Sequence, residues 1–214
     1  MIFVPVSFTL LSSISMASAS GNISLVRKYI SKSIRYVLLL ILPLTALLAA
    51  TSQELLTFLY SETYASGASV LSLLLVSSVL LALVSALVSI VTAVGKPNFE
   101  MISGILFIVV LSVLSFFLIP SLGLIGAAIA FLITSFLAFA VAGVYVYKLF
   151  NTLIGLRSFL VISFCSGLTF VFASLWHYSG ILLLVNYAVL CGLYFLLLYL
   201  FGEIQEEDIA FVKK

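Results

Sequence analysis

The sequence predicts an all-α integral membrane protein, a bundle of about seven transmembrane helices, and three observations carry that prediction. Of its 214 residues 64% are apolar and 7% charged, with a mean hydropathy of +1.41. A soluble domain carries about a quarter charged residues. The nine basic and seven acidic residues are also clumped, leaving charge-free runs at 1–26, 36–53, 63–95, 101–147 and 158–202. Breakers sit inside the two longest runs: Pro120 and Gly123 in one, and Gly180 behind Trp176-His177-Tyr178 in the other. A spanning helix needs roughly 20 apolar residues. The first three runs therefore hold one helix each and the last two hold two.

In chain order, the first helix is expected over 2–19. It carries Pro5 and the hydroxyl residues Ser7, Thr9, Ser12, Ser13, Ser15, Ser18 and Ser20, too many for a helix facing lipid all round. Part of it faces protein or water, with Ser12 and Ser15 as substrate-pathway candidates. Arg27, Lys28, Lys32 and Arg35 follow, the last three spaced to share one helical face. They serve either as a topology determinant touching anionic headgroups or as the electropositive floor of a cavity for a phosphorylated substrate. The second helix is expected at 34–51, where Pro43 removes a backbone hydrogen bond and favours a kink. Pro5 and Pro43 are thus hinge candidates.

The third helix, 67–94, carries Ser78, Ala82, Ser85, Ser89 and Thr92 close to one line. The fourth is expected at 101–119. The fifth, 123–147, repeats Gly126, Ala130, Thr134, Ala138 and Ala142 at every fourth position. Small residues let helix backbones approach in lipid, which makes Ser78, Ser85, Ser89, Gly126, Ala130 and Thr134 helix-packing positions; the competing role is a hydroxyl-lined wall of a water-filled cavity. The sixth and seventh helices, 158–176 and 180–201, contain Cys165 and Cys191, which form neither a CxxC pair nor a loop pair and are read as buried small residues. Residues 203–214 form a short solvated tail.

Taking alternate loops, all nine basic residues fall on one side of this seven-helix chain. Cytoplasmic loops are enriched in Lys and Arg, so the N-terminus is expected outside the cell membrane and the C-terminus inside. Function classes fall away for related reasons. The single histidine, His177, is read as an interface residue, and a metal site needs three or four converging ligands. The single aspartate, Asp208, lies in the tail, and no helix centre carries an ionisable group of the kind that marks proton relays. An enzyme, a cofactor and a nucleic-acid partner are therefore not expected. Ile2-Phe3-Val4-Pro5 lacks the basic flank of a signal peptide, and Ala17-Ser18-Ala19 makes a poor cleavage site. The chain is expected to be the back part of something longer, or to work with a separately encoded N-terminal half.

The order of these features resembles a known family. Phe3-Val4-Pro5 through Ser7 and Leu10, the basic run 27–35 and Tyr36 to Pro43-Leu44 are similar to the eighth and ninth helices of polysaccharide flippases. The likeness continues through Glu54-Leu55-Leu56-Thr57-Phe58-Leu59-Tyr60 and Tyr64, with Ser61 and Glu62 where the family usually has glycine. It then runs through Ala93-Val94-Gly95-Lys96-Pro97, and through Ile119-Pro120 with Gly123-Leu124-Ile125-Gly126-Ala127-Ala128-Ile129-Ala130. No single motif is specific; their order and spacing over residues 3–148 carry the resemblance.

The family implied is the multidrug/oligosaccharidyl-lipid/polysaccharide exporter superfamily, in particular its polysaccharide biosynthesis C-terminal region. The resemblance implies five lobe-like helices in residues 1–148, two additional helices in 149–202, and a cytoplasmic tail in 203–214. It also implies a lipid-linked glycan substrate, membrane lipids as surroundings, and rocking of two helical bundles around a central cavity. A buried phosphate needs cations to meet it, and Lys28, Lys32 and Arg35 are the groups this chain offers. Two rivals are a multidrug antiporter of the same superfamily, disfavoured because no carboxylate lies at a helix centre, and a truncated or accessory membrane protein that transports nothing.

Overall fold

A computed structural model describes residues 14–17, 20–153, 155–175 and 181–203. The expectations that rest on Pro5, Ser12, His177, Asp208 and the tail beyond 203 fall outside them. Among the described residues all regular structure is helical: α1 (Ile23–Ala50), α2 (Ser52–Leu59), a 3₁₀ segment (Glu62–Gly67), α3 (Ala68–Ala93), α4 (Asn98–Phe150), α5 (Leu156–Leu175) and α6 (Ile181–Leu200). Five of these segments are long and apolar enough to cross a membrane, as an all-α membrane bundle requires.

The largest departure from expectation is the start of α1, at Ile23 rather than 34. Asn22 caps it: its Oδ1 accepts the Leu25 backbone N–H at 3.2 Å and the Ser24 hydroxyl at 2.7 Å, an N-cap of the usual kind. The preceding Gly21 turns the chain at φ +69°. Arg27, Lys28, Lys32 and Arg35 are therefore helical residues and not loop residues. Charge limits how deep a helix can sit in hydrocarbon, but it does not end the helix. A second departure is the loop expected after residue 51, which instead folds into α2 and the 3₁₀ segment.

The fourth and fifth predicted helices are the two halves of α4. A straight helix of 53 residues would reach about 80 Å, far beyond the roughly 30 Å of a hydrocarbon core. It breaks at Gly123, whose φ of 59° and ψ of −134° are open only to glycine. The two halves, 98–122 (α4a) and 124–150 (α4b), fold back on each other: Phe99 stacks on Tyr145 with ring centroids 4.2 Å apart, and Phe107 meets Phe131 edge-on at 6.0 Å. Pro120 opens the ladder one turn before the break. The Ser121 hydroxyl donates to the carbonyls of Phe117 and Leu118 there at 3.3 and 3.2 Å. Gly126 makes the turn tight, since a Cβ on it would run into the backbone carbonyl group of Leu118.

The chain divides into two compact units. The first comprises residues 1–38 and 76–155 and holds the N-terminal part of α1, most of α3 and the α4 hairpin. Here α3 turns into α4 through Gly95 (φ +85°), where the Lys96 N–H reaches the Val91 carbonyl and the Gly95 N–H the Thr92 carbonyl, closing α3 in the manner of a Schellman motif. Asn151, in the left-handed region at φ 49°, ends α4. The outer face of α4a is mostly apolar, with Ile105, Ile108, Phe116 and Phe117 exposed beside Ser112, the composition of a helix face that suits lipid.

The second unit, residues 39–75 and 156–214, holds the rest of α1, α2, the start of α3, α5 and α6. Leu47, Ala173 and Leu190 form its buried apolar centre, with Ala50, Cys191 and Leu193 packed around them. Cys165 is buried as expected, whereas Cys191 is only half-buried, and both cysteines are free thiols.

Candidate functional site

The basic face of α1 is the first feature the fold positions. Lys28 is exposed, Lys32 half-buried and Arg35 only 6% exposed, so the three cations enter the protein progressively over about 10 Å of helix rise. The Arg35 guanidinium lies over the Tyr36 ring, 5.9 Å from its centroid, a cation–π arrangement. Ser31, in the same stretch, donates to the Leu153 carbonyl and lies 3.5 Å from the Thr152 hydroxyl. This stretch of α1 is thus tied to the segment that follows α4.

Pro43 lies inside α1 as expected. A helical proline leaves the carbonyl four residues earlier without its intrahelical donor, and that carbonyl belongs to Leu39. The Tyr194 hydroxyl, from α6, donates to it at 3.0 Å. The orphan created by Pro43 is thereby satisfied by a side chain that is itself buried. Replacing Tyr194 with phenylalanine strips the donor and keeps the ring, and is expected to cost about 1–3 kcal/mol, read as a lowered unfolding temperature in detergent. Further along, at the end of α1, Thr51 shares a hydroxyl–hydroxyl hydrogen bond with Tyr187 of α6, and the Ser72 hydroxyl of α3 meets Ser52 of α2 at 2.9 Å.

The two small-residue stripes end in different surroundings. On α4b, Gly126, Ala130, Thr134 and Ala142 are buried, and the Thr134 hydroxyl donates to the Ala130 carbonyl at 2.7 Å. On α3 the buried positions are instead Leu83, Val84, Leu87, Val88, Ile90 and Val91, while Ser78 and Ser89 are half-buried and Ser85 is exposed. Ser15 is likewise exposed. Ser85 and Ser89 line a cavity of about 750 Å³ inside the first unit, between α3, α4a and α4b. Thr134 and Ala138 line it from α4b; Phe99, Glu100, Ser103 and Phe107 line it from α4a. At one end the Thr92 hydroxyl donates to Oε2 of Glu100 at 2.9 Å.

Sequence patterning singled out Ser85, Ser89 and Thr134 but not Glu100 or Ser103. Glu100 lies outside the charge-free runs and reads as a loop residue. Its position five residues after the Gly95 turn, in the first turn of a helix, is the signal that puts it beside the serines of α3. Comparison with known proteins adds two findings. No curated protein matches the chain. A family model described as the lipid II flippase MurJ matches residues 1–201.

Proposed function

The chain belongs to the lipid II flippase MurJ family, and from that premise we propose that it takes part in moving lipid II across the cell membrane by alternating access. Membership makes it a multi-pass membrane protein of a transporter family, in keeping with its long apolar helices. The resemblance to flippases holds at that level. The family identified is named for lipid II, whereas the sequence had suggested the polysaccharide biosynthesis C-terminal region.

The observation that supports the reading best is the graded burial of Lys28, Lys32 and Arg35 on one face of α1. A lipid-linked glycan brings its phosphate charge to the membrane surface and must carry it through a region where an uncompensated anion is prohibitive. A row of cations running from the surface inward offers charge-assisted hydrogen bonds at successive depths. In this reading residues 1–148 supply five helices of a transporter lobe and 149–202 two additional ones. The N-terminus is outside, so the basic face meets the substrate on the cytoplasmic side.

The test is genetic. In a bacterial strain depleted of its own lipid II flippase, this chain is expressed alone and together with an upstream half of the same family. Growth and externally accessible lipid II are expected to return in one of the two arrangements. Failure of both, with the chain present in the membrane, would overturn the proposal.

A further inference from the structure

The cavity of the first unit changes from polar to apolar along one axis. α3 and α4a run in opposite directions from the Gly95 turn, so the Thr92–Glu100 hydrogen bond fixes their register. Ser89 and Ser103 lie about one helical turn deeper, and Ser85 and Phe107 about one turn deeper again. Thr134, whose hydroxyl is engaged by the Ala130 carbonyl, stands near the level of Phe107, and beyond it the lining is Leu81 and Val110. One end thus carries a carboxylate and several hydroxyls; the other is hydrocarbon. Ile102, Leu106 and Ile108, which also line the cavity, are exposed, so it borders the apolar outer face of α4a. Its volume of about 750 Å³ falls within the range of roughly 300–1,000 Å³ typical of small-molecule sites.

A polar head beside an apolar trough is the complement of an amphiphile, and the charges select which one. Glu100 disfavours an anionic head that has no cation of its own. Lys96, exposed in the turn four residues before Glu100, supplies a positive charge outside the cavity mouth. The pair suits a zwitterion. We propose that the cavity holds one acyl chain of a zwitterionic phospholipid bearing a primary ammonium, with the ammonium against Glu100 and Thr92 and the phosphate towards Lys96. A primary ammonium donates hydrogen bonds to the carboxylate; a trimethylated one keeps the charge but has no N–H to donate. This site is separate from the basic face of α1, and its occupancy does not depend on what the chain transports.

The whole chain, purified in detergent, is offered equal amounts of phosphatidylethanolamine, phosphatidylcholine and phosphatidylglycerol of identical chains, and the retained lipid is read by native mass spectrometry. Phosphatidylethanolamine is expected to be retained about ten-fold over either of the others, the low end of the effect of one charge-assisted hydrogen bond. Glu100→Gln, at an exposed position, is expected to bring the ratio over phosphatidylcholine to about one. Ser89→Phe, which fills the polar end, is expected to remove retention of all three. Equal retention of the three lipids, preference for the anionic one, or a preference that survives Glu100→Gln overturns the proposal. The headgroup comparison on the unaltered chain decides even if Ser89→Phe fails to fold.

Discussion

Gly126→Ala is expected to unfold the α4 hairpin, with a cost above about 3 kcal/mol and a steep fall in folded yield. Overpacking typically costs about 1–3 kcal/mol where side chains can move aside, but the added Cβ would here meet the carbonyl carbon of Leu118 at 2.6 Å. That atom belongs to the backbone across the turn and cannot rotate away. Relief requires opening the turn, which separates Phe107 from Phe131 and Phe99 from Tyr145. Gly143, on the same helix half, is the control: a Cβ there meets nothing within 4 Å. Gly143→Ala is expected to be neutral or to stabilise by up to about 1 kcal/mol, the helix propensity gain. Thermal unfolding of both variants in detergent checks the pair. Equal melting of Gly126→Ala and the parent would mean that the close approach is not structural.

The second large effect is expected at Arg35. Arg35→Gln should lower transport, measured as rescue or as lipid II reaching the outer face, by about 10- to 100-fold, which corresponds to the loss of a charge-assisted hydrogen bond of about 1.5–3 kcal/mol. Lys28→Gln should change little, because Lys28 is exposed and its charge is screened. Arg35→Lys keeps the charge but not the planar fork, and intermediate activity is expected. Arg35→Met separates transport from folding. Removing one member of a buried ionic contact can itself destabilise, and Arg35 has a further interaction within the protein, so thermal unfolding of this variant in detergent is measured beside its transport; melting close to the parent's with transport lost is the expected result. Normal transport by Arg35→Met would remove Arg35 from the substrate path.

The ends of α3, α5 and α6 were legible to within about two residues, because each is one apolar run bounded by turn residues, as at Gly95 and Gly202 (φ +85° and +65°). The division of residues 98–150 at Gly123 was legible too. The start of α1 was not, because scarcity of charge marks hydrocarbon depth and not helicity; Gly21-Asn22 was the available sign. The site divides in the same way. Periodicity placed Ser85 and Ser89 on one line and Gly126, Ala130 and Thr134 on another. It could not say what stands opposite each line. The α4b line is packed at Gly126 against backbone and meets the cavity at Thr134, while Ser85 and Ser89 border the cavity because the bulky Leu83, Leu87 and Val91 turn the other face of α3 inward. The Tyr194–Leu39 bond joins residues on α6 and α1, and no local pattern announces such a partner.

The hairpin at Gly123 bears on how the chain is made. Two membrane-crossing segments separated by one non-helical residue leave no tether between them. The two segments are therefore expected to enter the bilayer as a pair. The pair is the unit of insertion, and its hydrophobic sum rather than either half decides entry. The same turn offers proteases no exposed strand to cut and no slack for an inserted tag.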